Sequence, residues 1–187
     1  MSGPRVIAGT ARGRRLHMVP GGGTRPIGDR PKEALFNILQ SVIRDSYFLD
    51  IFAGTGSVGI EAISRGAAQA VFLEISQLAI NTINSNLELT GLKEKAVVLK
   101  RDAFSFLEHE KEKKYDLVYV APPQFHQIWE RAIVALDKNL QLLNPDAWVI
   151  VQIHPDEYLP IELDNLIEFD QRRYGHTLLV FYELPGE

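Results

Sequence analysis

Phe48-Leu-Asp-Ile-Phe-Ala-Gly-Thr-Gly-Ser-Val-Gly59 is the stretch whose reading decides the fold. An apolar run ends at Asp50, and a glycine-rich turn leads straight into residues with helical spacing. Such a pattern is expected where a buried strand gives way to a helix N-terminus and a ligand is held at the junction. Gly54 and Gly56 let backbone N–H groups approach that ligand without a Cβ in the way. Asp50 puts a carboxylate at the C-terminal end of the strand, where open α/β sheets bind ligands, and suits a cationic group such as an amino acid's ammonium. A nucleoside-containing cofactor is therefore expected.

Around this stretch the chain alternates. Strand-like runs fall at Tyr47–Phe52, Ala70–Glu74, Ala96–Lys100 and Leu117–Val120, with helical patterns at Ser57–Arg65, Gln77–Leu89 and Ala103–Lys111 between them. A helix over Gln127–Leu143 leads to Trp148–Ile153, a strand expected to be buried on both faces. Leu166–Arg173 and Thr177–Tyr182 read as two strands joined around Tyr174-Gly175-His176. Alternating β and α units predict a parallel, doubly wound sheet, and the terminal pair adds an antiparallel edge. Upstream, Arg5-Val-Ile-Ala-Gly and Arg14-Arg-Leu-His-Met-Val flank a turn at Gly13, which predicts a short hairpin. A helix is expected over Arg30–Ile43, with Asp29 as its N-cap and Pro31 in its first turn. The expected organisation is a basic N-terminal extension over residues 1–44 and a second domain over 45–187.

The chain has 187 residues, 45% hydrophobic and 24% charged, which is ordinary for a soluble globular protein and argues against a disordered or membrane-spanning chain. No stretch approaches the ~18 apolar residues of a membrane span, and Met1–Ile7 shows no cleavage-site pattern, so a cytoplasmic protein is expected. With no cysteine, disulfides, thiol catalysis and Cys-ligated metals are excluded. His17, His126, His154 and His176 are scattered along the sequence, and no metal site is expected. The net charge of −4 conceals an asymmetry: residues 1–32 carry seven basic side chains against Asp29 alone, and the rest carries 13 basic and 23 acidic. A basic arm on an acidic body points to an anionic partner met by one face.

Gly54-Thr-Gly-Ser-Val-Gly59 also fits the dinucleotide fingerprint, with Glu74 placed 20 residues beyond Gly54. Against NAD or FAD stand the negative charge of Asp50 near a pyrophosphate, the longer Phe52-Ala53 turn and the lack of room for a separate substrate domain. S-adenosylmethionine suits the same residues better. Asp50 is expected to take its ammonium, the backbone from Phe52 through Ala53, Gly54, Thr55 and Gly56 its methionine end, and Glu74 its ribose hydroxyls. Asp102, with Ala103 after it, is expected at the adenine. Taken singly, Glu74 and Asp102 are equally readable as capping carboxylates at strand–helix junctions. Their joint placement after successive strands favours a methyltransferase.

The chain resembles the RsmD-type family of 16S ribosomal RNA (guanine-N2)-methyltransferases over nearly its whole length. The resemblance is carried by Thr24-Arg-Pro-Ile-Gly-Asp-Arg-Pro-Lys-Glu-Ala-Leu-Phe-Asn-Ile-Leu39 together with Asp50–Ala67, by the opening Arg5-Val-Ile-Ala-Gly…Gly-Arg-Arg-Leu16, and by Tyr174-Gly175 near the C-terminus. It implies a seven-stranded, Rossmann-like S-adenosylmethionine-dependent methyltransferase sheet with a basic hairpin and helix extension. It further implies methyl transfer to the exocyclic amine of a guanine in the 16S ribosomal RNA of assembling small subunits.

Asp116-Leu-Val-Tyr-Val-Ala-Pro-Pro-Gln-Phe125 stands where that family has Asp-Pro-Pro-Phe. The guanine N2 lone pair is delocalised into the ring, so an acceptor for its amino protons and the carbonyl of the first proline favour developing sp³ character. An aromatic after the prolines stacks on the flipped base. Here Ala121 replaces the acidic or amide residue, Pro122 and Pro123 follow, Gln124 takes the aromatic's place, and Phe125 lies one position later. Three readings stay open: activity with Gln124 as surrogate acceptor, activity on another base, or a cofactor-binding RNA or ribosome-assembly factor that methylates weakly or not at all. A DNA methyltransferase is a lesser alternative, since no target-recognition domain fits this length. Arg12, Arg14, Arg15, Arg25 and Arg30 are the expected RNA contacts, neutralising phosphates.

Overall fold

The computed structural model describes residues 3–22 and 26–186. Seven strands form one mixed sheet in the order β3-β2-β1-β4-β5-β7-β6. The chain divides into a first unit ending at Asp102 and a second beginning at Ala103.

In the first unit, β1 (Tyr47–Asp50), β2 (Gln69–Glu74) and β3 (Ala96–Lys100) pair in parallel, with Asp50 beside Phe72 and Glu74 beside Lys100. Phe48, Leu49, Val71, Phe72 and Leu73 are buried, as a strand covered on both faces requires. Helix α2 (Ser57–Ser64) follows β1, and α3 (Gln77–Thr90) follows β2. The Ser76 hydroxyl caps α3 by accepting from the Ala79 N–H at 3.4 Å, and Gly91 closes it in the left-handed conformation.

Helix α1 spans Asp29–Ile38 and tightens into a 3-10 turn over Leu39–Ser41. This corrects the expected cap: Gly28 holds the N-cap position with no side-chain hydrogen bond, and Asp29 sits inside the first turn. The Asp29 carboxylate instead pairs with Arg5 at 3.2 Å.

The expected hairpin forms around Gly13, whose φ of 85° fits the turn. It is closed by a single Arg5–Arg15 bridge and by Val6 N–H donating to the Arg14 carbonyl at 2.9 Å. Glu61 on α2 clamps it, accepting from the N–H groups of Ile7 (2.8 Å) and Ala8 (3.0 Å) and from Arg65 Nε (2.7 Å). Lys32 of α1 donates to the Arg5 carbonyl at 2.7 Å and to Ser57 Oγ at 3.0 Å, and lies 3.8 Å from Glu61. Both Lys32 and Glu61 side chains are fully buried, so one of the seven cations counted in the basic arm is an internal strut.

In the second unit, β4 (Tyr115–Val120) and β5 (Leu143–Ile153) are parallel, while β7 (Thr177–Glu183) runs against both β5 and β6 (Ile167–Tyr174). Helix α5 covers Ile128–Lys138 rather than the expected 127–143, and β5 starts five residues before Trp148. Asn139 breaks the helix: its side chain donates to the Leu107 and Glu110 carbonyls at 2.7 and 3.2 Å, closing the end of α4 (Ala103–His109). The Arg131 guanidinium lies 3.7 Å over the Phe104 ring.

Candidate functional site

The glycine loop is built by positive φ at Gly54 (55°) and Gly56 (76°), after which α2 begins. Gly59, the last glycine of the fingerprint, serves packing instead: a Cβ there would fall 2.3 Å from the Phe72 ring. Asn86 on α3 was not anticipated from sequence. Fully buried, it donates to the Thr55 carbonyl at 2.9 Å and holds the His17 backbone through both its N–H and its carbonyl. It thereby ties the loop to the N-terminal segment. Thr55 is itself buried, so its carbonyl is structural.

Asp50 ends β1 with 1% of its surface exposed. Its Oδ1 is buried and has no hydrogen-bond partner. Burial pushes its carboxyl up to about 7, against the backbone N–H groups of Gly59 and Phe52, which pull it down. A buried carboxylate with an orphaned oxygen is costly unless a cation meets it, and an ammonium is such a cation.

Glu74 ends β2 in a different state. Its Oε2 accepts from Gly54 N–H at 3.0 Å, and its Oε1 accepts from Ile75 and Ser76 N–H at 2.8 and 3.0 Å. A carboxylate has room for about four acceptor contacts, so its capacity to take further hydroxyl donors is not exhausted. The structure thus brings Asp50, Gly54 and Glu74 together, with Ala53 N–H donating to the Leu73 carbonyl at 3.1 Å alongside. Phe52 is half-buried next to them. Arg101 N–H donates to the Glu74 carbonyl at 3.2 Å, which carries the exposed Asp102 to the same strand ends. Ala103, buried, opens α4 in the second unit.

In the second unit, the Pro-Pro loop follows β4. Pro122 is buried, Ala121 is half-buried, and Pro123, Gln124 and Phe125 are exposed. Phe125 leaves 64% of its surface exposed and adopts a φ of 63°. A β-carbon makes that conformation uncommon, and it is held here by Phe125 N–H donating to Glu157 Oε1 at 2.6 Å. The outer oxygen of Glu157 accepts from His154 N–H at 3.2 Å. Trp129 is buried as expected of a core residue, and Trp148 packs on Phe169 with ring centroids 4.9 Å apart.

Of the expected RNA contacts, Arg12, Arg14, Arg15 and Arg30 are exposed, and no ion pair engages them among the described residues. Arg25 lies outside the described residues, as does Thr24. Among the described residues there is no group of three or more His, Cys, Asp or Glu that could hold a metal ion, and no helix long and apolar enough to cross a membrane.

A family model described as "Conserved hypothetical protein 95" matches residues 4–183. The chain is 40% identical over 157 residues to the Ribosomal RNA small subunit methyltransferase D of Haemophilus influenzae, covering 83% of this chain and 81% of that one. The corresponding Escherichia coli protein of the same name is 37% identical over 183 residues, 98% of this chain and 91% of its own. A solved Escherichia coli protein, yhhF, provisionally named a methyltransferase, superposes over all of both chains at 33% identity with a TM-score of 0.87.

Proposed function

The chain belongs to the conserved hypothetical protein 95 family, the RsmD-type methyltransferases, and on that premise we propose that it methylates the exocyclic N2 amine of a guanine in small-subunit ribosomal RNA, using S-adenosylmethionine, during subunit assembly in the cytoplasm. The observation that carries this is Asp50. Its orphaned, buried oxygen at the glycine loop fits the ammonium of an amino-acid-bearing cofactor and disfavours a pyrophosphate.

Bound at that loop, the cofactor supplies a methyl group activated on a sulfonium. The chain's own residues orient it: Asp50 holds the ammonium, the backbone of Phe52–Gly56 the methionine end, Glu74 the ribose, and Asp102 with Ala103 the adenine. On the acceptor side, Phe125 stacks on the flipped base, and the Pro122 carbonyl with the Gln124 amide oxygen takes the two amino hydrogen bonds. These favour the localised nitrogen lone pair of the transition state. Arg12, Arg14, Arg15, Arg25 and Arg30 bind phosphates. Residues 1–44 act as the RNA-contact extension of a 45–187 catalytic domain.

Ala121 has no polar side-chain atom, and that supports one alternative, an assembly factor that keeps the cofactor and methylates weakly or not at all. The test is methyl transfer to purified small subunits, followed by mass spectrometry of the product nucleoside. Transfer yielding N2-methylguanosine, reduced at least tenfold by Gln124→Ala, is expected. Cofactor binding without transfer establishes the alternative, a different product nucleoside overturns the guanine assignment, and unchanged turnover in the variant removes Gln124 from its role.

A further inference from the structure

The sequence reads its histidines as scattered, yet two of them meet in the second unit. His154 Nε2 and His176 Nδ1 lie 3.3 Å apart, with ring centroids separated by 5.4 Å and planes within 19° of parallel. The Phe125 ring centroid is 5.2 Å from that of His154, with the planes tilted by 43°. Phe125, His154 and His176 therefore make a continuous row of rings from the Pro-Pro loop to the β6–β7 turn.

The hydrogen bonds along this row have a direction. Asp156 N–H donates to His154 Nδ1 at 3.2 Å, so in the neutral ring the proton sits on Nε2. That Nε2–H faces His176 Nδ1 and donates to it, which leaves the His176 proton on its own Nε2. The Asp156 carboxylate lies 3.5 Å from His154 Nδ1. Glu157 fixes both ends of the inner segment, accepting from the backbone of Phe125 and of His154. The result is a preorganised donor, His176 Nε2–H, on an exposed ring. Arg173 is exposed at the same turn, with its Nε donating to the Gly175 carbonyl at 3.2 Å.

We propose that this row is a second RNA contact, in which His176 Nε2–H, oriented by His154 and assisted by the Arg173 cation, donates to a backbone phosphate of the unpaired strand flanking the base on Phe125. It rests on the reading above, in which Phe125 stacks on the target base. Phe125 and His176 are the exposed rings, with half-buried His154 between them in the contacts, and exposed rings suit single-stranded RNA, whose bases stack on such platforms. The positive charge at the turn favours a phosphate oxygen over a base edge. His176 touches the RNA and His154 is a positioning residue acting through it; both act on substrate binding and not on the methyl group.

The test is steady-state methylation of small subunits, with filter binding of the same RNA in parallel. His176→Ala is expected to raise KM for subunits about tenfold, the size of one hydrogen bond to a charged acceptor, while kcat and cofactor affinity stay unchanged. His176→Gln, which retains an N–H donor, recovers part of the loss, and His176→Phe, which retains only the ring, does not. His154→Phe raises KM because it releases the orientation of His176. Arg173→Ala lowers the slope of log affinity against log salt by about one. An unchanged KM in His176→Ala, full recovery in His176→Phe, or a silent His154→Phe overturns the proposal. If the wild-type protein transfers no methyl group, the proposed function fails, and RNA binding by the same variants still decides the contact.

Discussion

Replacing Asp50 by Asn separates what this carboxylate does for binding from what it costs in folding. Burial pushes the folded carboxyl up to about 7, from an ordinary value of 3.8. Between those two values the folded, cofactor-free chain keeps a proton that the unfolded chain releases. Its stability therefore falls as pH rises through that window, and the loss is complete above about 7. At about 1.4 kcal/mol per unit, the ceiling on that loss is on the order of 4 kcal/mol. The Asn amide is isosteric and carries no charge to desolvate. Urea unfolding of the two cofactor-free proteins should show the variant gaining on the wild type as pH rises from about 5 to about 8, reaching a few kcal/mol.

Cofactor binding should respond in the opposite sense. A cation meeting Asp50 requires the ionised form, so binding below about 7 releases a proton. Wild-type affinity is expected to tighten by up to roughly tenfold per pH unit between about pH 5.5 and 7. Calorimetry in buffers of different ionisation enthalpy counts the released proton. Asp50→Asn should bind more weakly, with neither pH dependence nor proton release. Wild-type affinity that is flat across this range, or a variant less stable than the wild type at about pH 8, would refute the assignment of a buried acid awaiting a cation.

Three further perturbations probe the scaffold and the RNA face. Gly59→Ala would gain about 1 kcal/mol from helix propensity, but its Cβ collides with Phe72 at 2.3 Å; a net loss of about 1–3 kcal/mol is expected, partly recovered by adding Phe72→Leu, and a stabilised single variant contradicts the packing role. Glu61→Gln leaves the buried Lys32 ammonium, whose pKa burial already lowers, without its counter-charge; denaturant unfolding should show a loss of about 3–5 kcal/mol, and an unchanged midpoint denies the strut. Replacing Arg12, Arg14 and Arg15 together by Ala should weaken RNA binding and lower the salt slope by about two to three; an unaltered slope shows that the hairpin does not touch phosphate.

The elements were legible where local pattern and burial agree. β1, β2 and β3 follow from short apolar runs bounded by turn residues, and the start of α2 from the glycine turn before it. Failures share a cause in distance along the chain. Asp29 has the chemistry of an N-cap, but Arg5, 24 positions earlier, takes its carboxylate. Lys32 looked like part of a solvated basic face because its counter-charge, Glu61, arrives from α2. The i, i+4 spacing of Glu61 and Arg65 was a signal that an anchoring acid was present, though not that it would be buried. Helix α5 stops short because the Asn139 side chain closes another helix, α4, 29 to 32 residues back. His154 and His176 meet only because the β6–β7 hairpin returns the chain to the end of β5, where Ile153 pairs with Leu178.

The glycine fingerprint itself illustrates how the fold resolves what sequence leaves ambiguous. A dinucleotide site needs the amides of its glycine turn free to face a pyrophosphate. Here Gly54 N–H is committed to Glu74 at 3.0 Å and Gly56 N–H to the Ala53 carbonyl at 2.8 Å. Any anion approaching the turn would also meet the carboxylates of both Asp50 and Glu74, and after burial the Glu74 charge adds a smaller push to the raised Asp50 carboxyl. The same two groups are complementary to an ammonium and to hydroxyl donors. The glycines therefore serve to bring a carboxylate-bearing strand end, rather than an anion-binding amide nest, up to the ligand, and the spacing from Gly54 to Glu74 that imitates a dinucleotide motif is the distance over which one closes onto the other.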